Sequence, residues 1–265
     1  MPNSDVISAA ILGIVEGLTE FLPISSTGHL ILLTDLLGFK GPPGRIFEVV
    51  IQFGAILAIC WLYRHRILAI VSGFPRDLSA RRTACSIGIA ILPAMMLGAM
   101  FHDEIKAALF TPQVVAGALI AGGVVILLIE RLVISPKVFD IADIRPGKAL
   151  QIGLCQSLAL VPGTSRSGAT IIGGLLFGLD RRTAAEFSFF LAIPTMLAAT
   201  IFDLYRSWSS ISWSHAGLIL VGFASAFAAA IFSVRWMIGF VSHNGFAAFA
   251  WYRIILGSVI FLLVV

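Results

Sequence analysis

The chain has 265 residues, 58% hydrophobic and only 12% charged, with a formal net charge of +4 and a mean hydropathy of +0.99. A soluble domain carries about 25% charged residues. At half that share a compact soluble fold cannot cover its surface, which excludes a soluble enzyme, a disordered chain and a nucleic-acid binder. What remains is an all-α polytopic membrane protein, because near-continuous apolar runs dominate over strand-like alternation. In such a chain a basic excess marks cytoplasmic loops rather than an acidic partner.

In chain order, Met1 to Asp5 lacks a basic n-region and does not resemble a cleaved signal peptide. Residues 5–38 are apolar but broken at the centre by Pro23-Ile24-Ser25-Ser26-Thr27-Gly28-His29. Three uninterrupted spans follow, over 47–63, 84–101 and 112–130. Residues 149–179 are again apolar and broken, by Pro162-Gly163-Thr164-Ser165-Arg166-Ser167-Gly168, and lead into spans over 184–202, 214–233 and 246–265. Each span can cross a core of about 30 Å at about 1.5 Å per residue. The two broken stretches are too interrupted for one straight helix, and their halves are too short to cross alone. They are expected to be re-entrant helix hairpins whose breaks line a cavity, since irregular backbone at membrane depth needs protein or water around it. Cys60, Cys85 and Cys155 lie in apolar stretches without CxxC spacing and read as small buried hydrophobes.

Charge sets the orientation. Placing 64–82 in the cytoplasm puts Arg64, Arg66, Arg76, Arg81, Arg82, Arg131, Lys137, Arg145, Lys148, Arg181, Arg182 and Arg235 inside, against Lys40, Arg45, Lys106 and Arg206 outside. Arg166 and Arg253 fall within membrane segments, and both termini lie outside. This requires 149–179 to return to the side it came from. The two broken stretches also resemble each other at an offset of 140, where Gly13, Leu18, Gly28 and Gly38 match Gly153, Leu158, Gly168 and Gly178. The expected architecture is therefore six transmembrane helices plus two re-entrant hairpins in an inverted-topology repeat within a single membrane domain, 1–265. Repeat one covers about 1–131 and repeat two about 149–265, with the breaks meeting near the midplane.

Ionisable residues inside a membrane point to function. Glu16 and Glu20 are one helical turn apart and share a face, so they can share a proton or hold a hard cation such as Mg²⁺ or Ca²⁺. Ser25, Ser26 and Thr27 offer hydroxyls at a helix start, a natural anion site, and His29 stands three residues after Ser26 as its base or as a proton donor. The second break supplies Arg166, whose rigid fork suits phosphate, extended by the hydroxyls of Thr164, Ser165 and Ser167. Walker A, HExxH and GxSxG patterns are absent from the sequence.

The run from Glu16 through Leu30 and the run Pro162-Gly163-Thr164-Ser165-Arg166-Ser167-Gly168 closely resemble the two signature segments of the bacterial undecaprenyl-diphosphatase, or bacitracin-resistance, family. Gln52-Phe53-Gly54-Ala55 and Glu186-Phe187-Ser188-Phe189 extend the resemblance. It implies a multi-pass enzyme of the bacterial inner membrane, with an active site open to the periplasm. Such an enzyme hydrolyses undecaprenyl diphosphate to the monophosphate with a divalent cation, recycling the lipid carrier for cell-wall synthesis. Carried over by position, Arg166 binds the diphosphate and stabilises transferring charge, Ser26 is the nucleophile and His29 assists proton transfer. Glu20 and Glu16 bind the metal or orient a water, and direct attack by water remains open. The expected partners are a lipid diphosphate and the bilayer, not nucleic acid, and a homodimer is compatible with the sequence. The alternative is a transporter or flippase of a lipid phosphate or small anion, because inverted repeats with broken helices also build transporters.

Overall fold

The structure, a computed structural model, describes residues 3–39, 41–42, 46–109, 111–132, 135–206 and 215–264. Lys40 and Arg45 of the expected outer charges, and Ser214 and Val265 at the ends of expected spans, lie outside them. Among the described residues the chain is all-α, with one isolated bridge between Val138 and Leu179. The helices are α1 (Asn3–Thr19), α2 (Ser26–Leu36), α3 (Ile46–Leu62), α4 (Arg64–Gly73), α5 (Leu78–Leu109), α6 (Pro112–Leu132), α7 (Pro146–Ser157), α8 (Arg166–Leu176), α9 (Arg181–Arg206), α10 (Ala216–Asn244) and α11 (Ala247–Val264). Proline opens α6 and α7, where its missing N–H leaves no bond unmade.

Leu78–Phe101 of α5, α6, α9 and α10 are each long and apolar enough to cross a membrane. The pair α3 and α4, bent by 74°, makes a fifth when taken together, while the apolar stretch Ala247–Leu263 of α11 is shorter. The expected spans thus all fall on helices, and four to five of the six reach crossing length. One expectation needs correction. Residues 64–82, expected from their arginines to be a cytoplasmic loop between two spans, contain α4 and the first turn of α5. Ile67, Leu68, Ile70 and Val71 lie between Arg66 and Arg76, and Leu68 and Val71 stand exposed one turn apart, as on a helix with an apolar face.

The two broken stretches are each a helix pair. α1 ends at Thr19 and α2 begins at Ser26; α7 ends at Ser157, a 3₁₀ turn covers Leu158–Leu160, and α8 begins at Arg166. α1 packs on α2 and α7 on α8, and each first half also packs against a long helix of the other half of the chain, α1 on α10 and α7 on α5. Glycine makes both approaches close. A Cβ on Gly13 would run into the Gly222 carbonyl of α10, and one on Gly153 into the Ala90 carbonyl of α5, as small residues do at helix contacts in membranes. α6 and α11 pair with one another, and α3 lies between α9 and α10.

Candidate active site

Both breaks end on a serine in an unusual backbone conformation. Ser25 (φ 68°) and Ser165 (φ 71°) are the non-glycine residues with positive φ among the described residues. Such backbone is costly and persists where the surroundings over-determine it, most often at functional sites. Each serine immediately precedes a helix, so α2 opens with Ser26 and α8 with Arg166, and the free N–H groups of both first turns lie beside these side chains.

The side chains meet at Glu20. Ser26 Oγ donates to Glu20 Oε2 at 2.5 Å, and Arg166 Nη2 donates to Glu20 Oε1 at 3.1 Å. Arg166 Nη1 is held by the Ser188 carbonyl on α9 at 2.9 Å, and the guanidinium lies over Phe21, 5.9 Å from the ring centroid. Arg166 Nε is buried without a protein partner, so one donor of the fork remains to be filled. Beside this chain lies a cavity of about 170 Å³, lined by Glu20, Ser25, Ser26, Thr27, Ser165 and Arg166 together with Gln52 of α3 and Met196 of α9. A cavity of that size has room for a small polar headgroup, not for a long lipid tail.

The other expected site residues divide. Ser25, Thr27 and Ser165 line the cavity. Ser167 does not: its Oγ donates to the Leu22 carbonyl at 2.7 Å and so ties the second break to the first. With that proton committed, Ser165 Oγ donates to Ser167 Oγ at 3.0 Å while accepting from Gly168 N at 3.1 Å as the cap of α8. Thr164 serves through its carbonyl, which accepts from Arg253. His29 is near the site in sequence, but both ring nitrogens are engaged away from Ser26. Nδ1 bonds the Ser25 carbonyl at 2.7 Å and Nε2 meets the Tyr252 hydroxyl at 2.6 Å. A carbonyl only accepts, so Nδ1 carries the proton, and in the neutral ring Nε2 accepts from Tyr252. The basic group bonded to the Ser26 hydroxyl is Glu20.

Glu16 is 1% exposed, and both its carboxylate oxygens are buried without a hydrogen-bond partner. An anion so placed calls for a proton or a cation. Among the described residues no group of three or more His, Cys, Asp or Glu forms a metal cage. Mg²⁺, however, is commonly held by one or two carboxylates completed by substrate phosphates, and Glu16 with Glu20 fits that donor set.

Beyond the expected site residues the fold brings in Ser188 and Met196 against Arg166, Gln52 on the cavity wall, Tyr252 on His29, and Arg253, which bonds carbonyls of both breaks. Arg253 carried a signal, being a charge inside an apolar span; Tyr252 and Met196 carried none, because only the folded chain brings them near.

Comparison with known proteins adds an independent line. The sequence model described as bacitracin resistance protein BacA matches residues 9–259. An undecaprenyl-diphosphatase of Parvibaculum lavamentivorans is 52% identical over 260 residues, 98% of this chain and 97% of that protein. Undecaprenyl-diphosphatase 2 of Paramagnetospirillum magneticum is 52% identical over 261 residues, covering 98% and 99% of the two chains. Undecaprenyl-diphosphatase 1 of Agrobacterium fabrum is 50% identical over 259 residues, covering 97% and 96%.

Proposed function

We propose, from the premise that the chain belongs to the bacitracin resistance protein BacA family, that it hydrolyses undecaprenyl diphosphate to undecaprenyl phosphate and inorganic phosphate. The observation that carries this reading is the chain Ser26–Glu20–Arg166, assembled from both breaks at the wall of one cavity. An alcohol on a carboxylate base, facing a guanidinium, is the equipment for phosphoryl transfer.

The terminal phosphate enters the cavity beside Arg166 and the first turns of α2 and α8, while the polyprenyl tail stays in lipid. Ser26 Oγ attacks the terminal phosphorus as its proton passes to Glu20 Oε2. The bond to the bridging oxygen breaks, undecaprenyl phosphate departs, and a phosphoserine remains. Water then attacks that phosphorus while Glu20 returns its proton to Ser26 Oγ and takes one from the water, which releases inorganic phosphate and restores the Ser26 hydroxyl. Arg166, anchored by Ser188, stabilises the charge that grows on the phosphoryl oxygens. His29 bonds the Ser25 carbonyl through Nδ1 and is itself held by Tyr252 through Nε2, so the pair steadies the strained serine that aims Ser26. Glu16, with Glu20, would hold a divalent cation, Mg²⁺ or Ca²⁺. When bound, the cation supplies charge neutralisation at the phosphates.

We further propose that the protein sits in the bacterial plasma membrane, with its cavity toward the periplasm and the two halves as an inverted repeat. The charge asymmetry and the reciprocal packing of α1 on α10 and α7 on α5 support this. A homodimer is compatible with it. Release of phosphate from undecaprenyl diphosphate by the purified protein in detergent is the test, since detergent abolishes sidedness. No release, with lipid phosphate instead moved across vesicle membranes, would favour the transport reading that the same packing suggests.

A further inference from the structure

Arg253 on α11 is 1% exposed, and its guanidinium is spent wholly on backbone. Nε donates to the Leu119 carbonyl at 3.3 Å. Nη1 donates to Pro23 at 3.1 Å and Thr164 at 2.8 Å. Nη2 donates to Ala118 and Gly163, both at 3.0 Å. These contacts occupy the five N–H donors a guanidinium has. The ion pairs formed by the described residues include none to Arg253, so a buried cation is held by carbonyl dipoles alone.

The identity of those carbonyls is informative. Pro23 belongs to the first break and lies three residues before Ser26; Gly163 and Thr164 belong to the second and lie just before Arg166. Carbonyls of a broken helix have lost their helical partners and need others at membrane depth. One planar group satisfies both sets at once and so fixes the breaks relative to each other and to α6. The chain also leaves space for it: a Cβ added to Gly122 would press on the guanidinium, 2.7 Å from Cζ, and one on Gly168 would stand 3.0 Å from Nη1.

We infer that Arg253 is a positioning residue for phosphoryl transfer, a bridge between the two breaks that holds Ser26 and Arg166 on the same phosphate. The inference rests on the phosphatase reading above. It distinguishes Arg253 from Arg166, which touches the substrate, and it requires a fork rather than a charge. Lysine has three donors radiating from a point and cannot reach carbonyls on three sides.

The experiment compares Arg253→Lys and Gly122→Ala with the parent protein in detergent, with undecaprenyl diphosphate as substrate and rates expressed per folded molecule by size-exclusion and circular dichroism. A misplacement of about 1 Å between reacting groups lowers rate about 100-fold. Arg253→Lys is therefore expected to lose about that in kcat, with KM changed less than about threefold. Gly122→Ala, which displaces the guanidinium without removing it, should lose about tenfold in kcat by the same route. The double variant should lose less than the product of the single losses, because both disturb one contact. A kcat within twofold of the parent in folded Gly122→Ala overturns the inference, even where Arg253→Lys does not fold. So does a loss confined to KM. An inactive parent protein would instead be the failure of the phosphatase reading, and it is seen before any variant is compared.

Discussion

The two breaks share a backbone and divide the chemistry. At the offset of 140 residues, Ser25 corresponds to Ser165 and both take a positive φ, of 68° and 71°. The next residue opens a helix in each case, yet it is Ser26 in the first break and Arg166 in the second. Earlier in each stretch the same divergence holds, with Glu16 matched by Gln156 and Glu20 by Leu160. Glu16 and Gln156 are each 1% exposed and each keeps a side-chain oxygen without a partner. The first break has the carboxylates and the alcohol, the second the cation. Neither is a site alone, and the hydrogen bond from Arg166 to Glu20 is where the halves become one.

The widest effect should come from substituting the corresponding residues Ser26 and Arg166. Ser26→Ala removes the attacking oxygen and is expected to lower turnover by about a thousandfold or more while a non-hydrolysable diphosphate analogue still binds. Arg166→Ala should lower both binding and turnover, the latter by about 10²–10³-fold, and Arg166→Lys should remain strongly impaired because it keeps the charge without the fork. Near-parental turnover in Ser26→Ala would replace the covalent route by an activated water. Near-parental turnover in Arg166→Ala would remove the phosphate site from the second break.

A second comparison sets Glu16 against Gln156. Glu16→Gln keeps shape and removes charge, so turnover should fall about 10–100-fold if the carboxylate holds a cation. Chelation should abolish the parent's phosphate release, and Mg²⁺ or Ca²⁺ should restore it. Gln156→Leu, at the matching position, should leave turnover per folded molecule within about twofold and alter only stability, by about 1–3 kcal/mol at most. Equal losses of turnover at the two positions would end this division of labour between the breaks.

The sequence carried much of this division. Polar and ionisable residues inside apolar stretches are rare enough to be seen without coordinates, and so Glu16, Glu20, Ser26 and Arg166 were legible as a set. The helices were legible by their apolar runs, except α4, where arginines masked an apolar face. Partners were harder. Spacing along the chain suggested His29 for Ser26, because a three-residue interval looks like one helical turn. The strained Ser25 instead turns the backbone so that Glu20, six residues before Ser26, receives its hydroxyl. Contacts such as Tyr252 with His29, or Arg253 with Pro23 and Thr164, join residues far apart in the chain, and no local pattern records them.

Smaller effects should follow from the glycines that seat the first half of each pair. Gly13→Ala and Gly153→Ala each drive a methyl into a carbonyl of the facing helix, at Gly222 and Ala90 respectively. Each should cost about 1–3 kcal/mol, read as a lower melting temperature in detergent. Because the contacts correspond, the two losses should be similar. A loss at one position alone would show that one half is held by other contacts.

The smallest effect tests the two strained serines. A non-glycine residue in such backbone carries strain of about 1–3 kcal/mol, and glycine removes it at an entropic cost of about 0.5–1 kcal/mol. On strain alone, Ser25→Gly and Ser165→Gly should both stabilise. Their side chains differ, however. Ser25 makes no capping bond to α2, whereas Ser165 Oγ accepts from Gly168 N at the start of α8, and losing a cap costs about 0.5–2 kcal/mol, though less when glycine replaces it. Ser25→Gly is therefore expected to raise the melting temperature slightly and Ser165→Gly to raise it less or leave it level. Turnover should fall in Ser25→Gly despite the added stability, because a glycine before Ser26 lets the attacking hydroxyl leave Glu20. A Ser25→Gly protein that is both more stable and fully active would show that the conformation of the first break is incidental to the chemistry it presents.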